Sequence, residues 1–148
     1  MSRVSGPRPW SIRLFVILFA MQALAAFATT LGNLDGELAY YAGRYPSFGF
    51  TRDTIIVIAS ARLTIAAIPM ALVWFYASRL ARWMATALAA LKLLRVPSAL
   101  TMWAASGEIS LVWAAGLLLG TAAVTCLFTP AARRFFAKHH RARAEAFD

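Results

Sequence analysis

The chain has very few of the side chains that usually carry chemistry. Its 148 residues include one cysteine, two histidines and six acidic side chains. A single cysteine, Cys126, excludes an intrachain disulfide and any CxxC zinc or redox pair. Set among Ala123, Val124 and Leu127, it reads as a small apolar side chain. His139 and His140 are adjacent, so on a helix they point in different directions and make a poor metal pair. HExxH, GxSxG, P-loop, GxGxxG and kinase signatures are all missing. No catalytic residue, metal site or cofactor is therefore expected, and the chain reads as a non-enzyme. The acidic residues Asp35, Glu37, Asp53, Glu108, Glu145 and Asp148 fall in loops or tails, so no carboxylate sits in an apolar run to relay protons. Gln22 is the one carboxamide within such a run.

Charge is also scarce. Charged residues are 14% of the chain and hydrophobic ones 61%, against about 25% and roughly 45–50% in average globular proteins. Water-compatible side chains could not cover so much apolar surface, which points to a hydrocarbon solvent. The formal charge of +9 would suit nucleic acid only on a water-exposed basic face. Here the basic residues bracket long apolar runs, the pattern by which a membrane protein sets its orientation. Nucleic acid is thus not an expected partner.

The pattern predicts an all-α fold, an integral membrane bundle of four transmembrane helices forming one domain over 1–148. Segments 10–31, 54–76 and 109–128 each hold about 20 residues, enough at 1.5 Å per residue to cross a core of roughly 30 Å. Pro9, Gly32 and Pro130 punctuate their ends, and Trp10, Trp74, Tyr76 and Trp83 fall near the inferred interfaces. Pro69 should kink the second segment. The third, 80–96, is short and contains Lys92 and ends near Arg95. An amphipathic surface helix is the alternative, but Lys92 and Arg95 fall on roughly the opposite side from Arg79 and Arg82. A crossing of about 24 Å with local bilayer thinning fits better.

Orientation follows from the basic residues. With the N-terminus inside, Arg3, Arg8, Arg13, Arg79, Arg82, Arg133, Arg134, Lys138, Arg141 and Arg143 are cytoplasmic. Arg44, Arg52, Lys92 and Arg95 lie outside, and Arg62 falls within the second segment. That bias predicts a multi-pass protein of the bacterial inner membrane, both termini cytoplasmic, with a periplasmic loop over 32–53 and a basic cytoplasmic tail over 131–148. Ala26-Phe27-Ala28 resembles a signal-peptidase site. The apolar run continues past it to Leu31, which favours an intact segment; cleavage would leave three crossings.

In lipid, helices associate through close backbone approach and polar contacts. Candidate packing residues are Ala81, Ala85 and Ala89 in the third segment and Gly116 and Gly120 in the fourth. Their ordinary use is within the bundle; the alternative is a homo-oligomer or a membrane-protein partner. Arg62, Lys92 and Arg95 share an inferred depth and sign, with Glu108 as a possible counter-ion. They are candidates for an anionic headgroup or solute, against plain snorkelling. Tyr40, Tyr41, Tyr45, Phe48 and Phe50 give the loop either a docking surface or an aromatic segment lying on the bilayer. The tail reads as a basic, partly amphipathic helix against anionic membrane lipids.

Ser78-Arg79-Leu80-Ala81-Arg82-Trp83 opens the third segment, and Phe128-Thr129-Pro130-Ala131-Ala132-Arg133-Arg134-Phe135-Phe136 closes the fourth. These stretches resemble the boundary motifs of uncharacterised small four-helix bacterial inner-membrane proteins, over about the last hundred residues. The resemblance implies the four-crossing layout and no activity; Lys92 and Arg95 stand where that pattern has apolar residues. The functional expectation is an accessory or scaffold protein acting through helix packing. The alternative is a small oligomeric transporter or lipid-handling protein for an anionic ligand.

Overall fold

The computed structural model describes residues 7–94, 96–97 and 111–144. Among these, the chain is all-helical, with six α-helices and one 3-10 turn. The first helix, α1, covers Trp10–Gly32. It starts where the Pro9 carbonyl accepts from the Ile12 amide at 3.0 Å and the Arg13 amide at 3.3 Å. Its apolar residues run around the whole circumference. Ile12, Phe15, Phe19 and Gln22 are buried at helical spacing, while Ile17, Met21 and Leu24 face outward, about half exposed. A helix apolar on all sides suits burial in a large core or a membrane.

The expected loop 32–53 contains a helix that hydropathy alone did not reveal. Helix α2 covers Leu34–Arg44, with Asp35 and Glu37 in its first turn and Arg44 in its last. Those placements complement the helix dipole. The 3-10 turn Pro46–Phe48 follows, and Gly49 reverses the chain at φ +58, a left-handed conformation that glycine adopts without a Cβ clash.

Helix α3 covers Arg52–Tyr76. Thr51 caps it by accepting from the Thr54 amide at 3.3 Å. The helix runs through Pro69 as one element, with the proline ring buried. It stops at Ala77, whose φ of +45 reverses the chain, and the Ser78 amide donates back to the Leu72 carbonyl at 3.4 Å. Ser78 then caps α4, Arg79–Leu93. Ala77 and Ser78 are thus the entire connection between two antiparallel helices.

Helix α5 covers Leu111–Cys126 and α6 covers Pro130–Ala144. Between them the Leu127 and Phe128 amides donate to the Val124 and Thr125 carbonyls at 3.0 Å, tightening the last turn. Pro130 suits the first turn of α6 because it has no amide hydrogen to satisfy there. Thr129 caps that turn, accepting from the Ala132 amide at 3.4 Å. The chain bends by 54° at this break, which turns the basic helix across the end of the bundle.

Packing gives a four-membered ring: α1 lies between α3 and α5, and α4 closes the circuit between those two. The main core is at the end where α1 starts. There Ile12, Phe15, Phe19, Val73, Ala77, Ala81, Ala85, Ala123, Leu127, Ala132, Phe135 and Phe136 form one cluster. Two helices, α1 and α3, are long and apolar enough to cross a membrane. The bent pair of α5 and the first turns of α6 makes a third if it is one span. Helix α4, at 15 residues, reaches about 22 Å; it is too short to count as a crossing, and Arg79, Arg82 and Lys92 make it less apolar than α1 or α3.

Candidate functional site

The end of the bundle that carries the start of α1 concentrates cations against aromatic rings. Arg8, just before α1, reaches the last turn of α3. Its Nε donates to the Trp74 carbonyl at 3.1 Å, and its guanidinium carbon lies 4.5 Å from the centre of the Trp74 ring. The last four carbonyls of a helix lack partners within it. A cation there supplies a donor and complements the negative end of the dipole. One arginine therefore caps α3 and fixes α1 beside it.

Arg82 holds the other side. Its guanidinium carbon is 4.9 Å from the Phe128 ring, 5.7 Å from Phe136 and 5.9 Å from Trp83. Trp83 meets Phe128 edge-on with ring centres 6.3 Å apart. The two motif stretches that looked like separate boundary markers thus form one junction, in which α4 grips the α5–α6 bend. The Nε of Arg82 is buried with no hydrogen-bond partner among the described residues, and the neighbouring ring faces attract its positive charge. Each such contact is worth about 0.5–1 kcal/mol, more when desolvated. Sequence reasoning counted Arg8 and Arg82 only as orientation charges. The adjacent pairs Arg82-Trp83 and Phe135-Phe136 were the available signal for the second junction.

The residues proposed from sequence are distributed differently. Arg62 and Lys92 lie equal distances along their helices from the Ala77 reversal, about 22 Å. Arg62 is engaged elsewhere: its Nη2 donates to the Tyr41 hydroxyl on α2, with its guanidinium 5.9 Å from that ring. The side chain leans toward the start of α3, the direction helical side chains favour. Lys92 is exposed. Arg95, Glu108 and the side chains of His139 and His140 lie outside the described residues. No contact joins Arg62 to Lys92 among the described residues.

The small-residue stripes have unequal roles. Ala81 and Ala85 are fully buried and Ala89 is 9% exposed, so this stripe faces the ring interior. A Cβ on Gly120 would meet the Gln22 side chain, whereas one on Gly116 would meet nothing within 4 Å. Only the second glycine of the pair serves close approach inside the bundle.

At the opposite end, Tyr41, Tyr45, Phe48 and Phe50 form a ring cluster with centres 5.4–6.4 Å apart. Tyr40 touches Tyr41 edge-on. Arg52 pairs with Asp35 at 2.7 Å, tying α2 to the start of α3, though both side chains are exposed and such pairs contribute little. Among the described residues no group of three His, Cys, Asp or Glu side chains is placed to share a metal ion.

These features define an α-helical protein with helices suited to a membrane. No family model, curated protein or solved structure matches the chain.

Proposed function

We propose that the chain is a four-crossing protein of the bacterial inner membrane, both termini cytoplasmic, acting as an accessory or scaffold protein through helix packing with a partner. The observation that carries this reading is a bundle interior filled with apolar side chains, Phe15, Phe19, Val73, Ala81, Ala85, Ala123 and Leu127 among them. Several helix hydroxyls are turned inward on their own backbone. Those of Thr29, Thr64, Thr86 and Thr121 return to carbonyls of their own helices at 2.8–2.9 Å. A solute would meet packed hydrocarbon. The large apolar side chains that face outward, such as Leu118 and Val57 at 69% and 66% exposed, are available to lipid or to a neighbour.

Support for α4 as a crossing comes from its neighbours. It packs against both α3 and α5, and bilayer thinning would accommodate its short length. Reporter fusions test the topology. A fusion after Asp148 should be active in the cytoplasm and one at Ser106 in the periplasm; periplasmic activity at Asp148 overturns the layout.

The competing reading, a small oligomeric transporter or lipid-handling protein for an anionic ligand, draws on the equal distances of Arg62 and Lys92 from the Ala77 reversal. Photo-crosslinkers at Leu24 and Leu118 separate the two roles. A partner recovered in stoichiometric yield supports the scaffold. Reconstituted flux that falls on Arg62→Gln supports the competitor.

A further inference from the structure

An open groove of about 540 Å³ lies between α1 and α3 at the arginine-rich end, lined by Pro7, Arg8, Arg13, Val16, Ile17 and Trp74. We infer that this groove seats one phospholipid with an anionic headgroup. It changes character along its length. Arg13, Val16 and Ile17 share one face of α1 at i, i+3 and i+4 spacing. From the start of the helix at Trp10, Arg13 lies about 5 Å down and Ile17 about 10 Å. Side chains on α1 lean back toward that start, which brings the Arg13 guanidinium up toward Arg8. The groove is therefore cationic where lipid phosphates lie and apolar where acyl chains begin.

The cations are free to act. Arg8 spends its Nε on the Trp74 carbonyl, and a guanidinium carries five N–H donors in all. Arg13 is exposed and makes no hydrogen bond or ion pair with a described residue. No acidic side chain lines the groove, so its charge is left for an anion from outside. Two arginines lining one groove offer charge-assisted donors to a phosphate's oxygens. A free inorganic anion would leave the Val16 and Ile17 floor uncovered, which an acyl chain fills. A second copy would bring its own arginine-rich end and be repelled.

This inference rests on the membrane placement proposed above, not on which side the termini face. It is tested in detergent, where the topology does not enter. Native mass spectrometry of the purified chain, with phosphatidylglycerol and phosphatidylcholine vesicle lipid added in equal amounts, should show one retained phosphatidylglycerol. Arg13→Gln removes a cation with no protein partner, so the fold should persist, and retention should fall about fivefold. Ile17→Trp fills the apolar floor and should lower retention with an unchanged melting temperature. Arg133→Gln with Arg134→Gln, on α6, should leave retention as it was. Equal retention of the two lipids overturns the inference. So does full retention by Arg13→Gln, or a loss in the α6 double substitution as large as that in Arg13→Gln.

Discussion

Gly120 tests the packing most directly. An added Cβ would stand 2.9 Å from Gln22 Oε1, 3.2 Å from Nε2 and 3.3 Å from Cδ. Gln22 is 4% exposed, so its amide has little room to withdraw. For Gly120→Ala, turning the amide off its rotamer costs about 0.5–1.5 kcal/mol. For Gly120→Leu, the added carbons force α1 and α5 apart, at about 3 kcal/mol, the upper end of usual overpacking costs. At about 2–4 °C per kcal/mol for a chain of this size, the leucine variant should melt roughly 6–12 °C lower. Thermal unfolding in detergent, followed by helical circular dichroism, reads this directly. Gly116→Leu is the matched control and should melt no lower than the parent, because nothing lies within 4 Å of a Cβ there and leucine favours a helix over glycine by roughly 0.5–1 kcal/mol. Gln22→Ala combined with Gly120→Leu should recover part of the loss by vacating the space. The reasoning is refuted if Gly116→Leu and Gly120→Leu melt alike, or if Gln22→Ala brings no recovery.

Arg82→Leu should loosen α6, since its contacts with Phe128 and Phe136 disappear, at about 1–2 kcal/mol in total. Hydrogen exchange or limited proteolysis should show faster opening of 130–144 with α1 and α3 unchanged; equal protection would mean that Ala132, Phe135 and Phe136 hold α6 alone. Ala77→Val places a β-branched residue at φ +45, in a region where even ordinary residues lose about 1–2 kcal/mol. Its melting temperature should fall, while Ala77→Gly should match or exceed the parent. A tolerated valine would show that the α3–α4 reversal does not depend on this left-handed residue.

The sequence by itself determined the apolar character of the helices. Apolar runs of this length, edged by proline, glycine, tryptophan and arginine, make α1 and α3 long and apolar enough to cross a membrane before any contact is known. Capping and backbone reversal are local, so Pro9 and Pro130, visible in the sequence, stand at the starts of α1 and α6. What it did not contain was the inward face. Lipid and protein interior are equally apolar, so nothing in the hydropathy of α1 separates Phe15, which is buried, from Ile17, which is not. Tertiary structure alone decided that α1 sits between α3 and α5, that Gly120 and not Gly116 receives Gln22, and that Arg62 turns to Tyr41. It also joined Arg8 to Trp74, 66 residues apart, and Arg82 to Phe136. A cation's partner depends on which helix ends share one face of the bundle, and that is settled only when the helices pack.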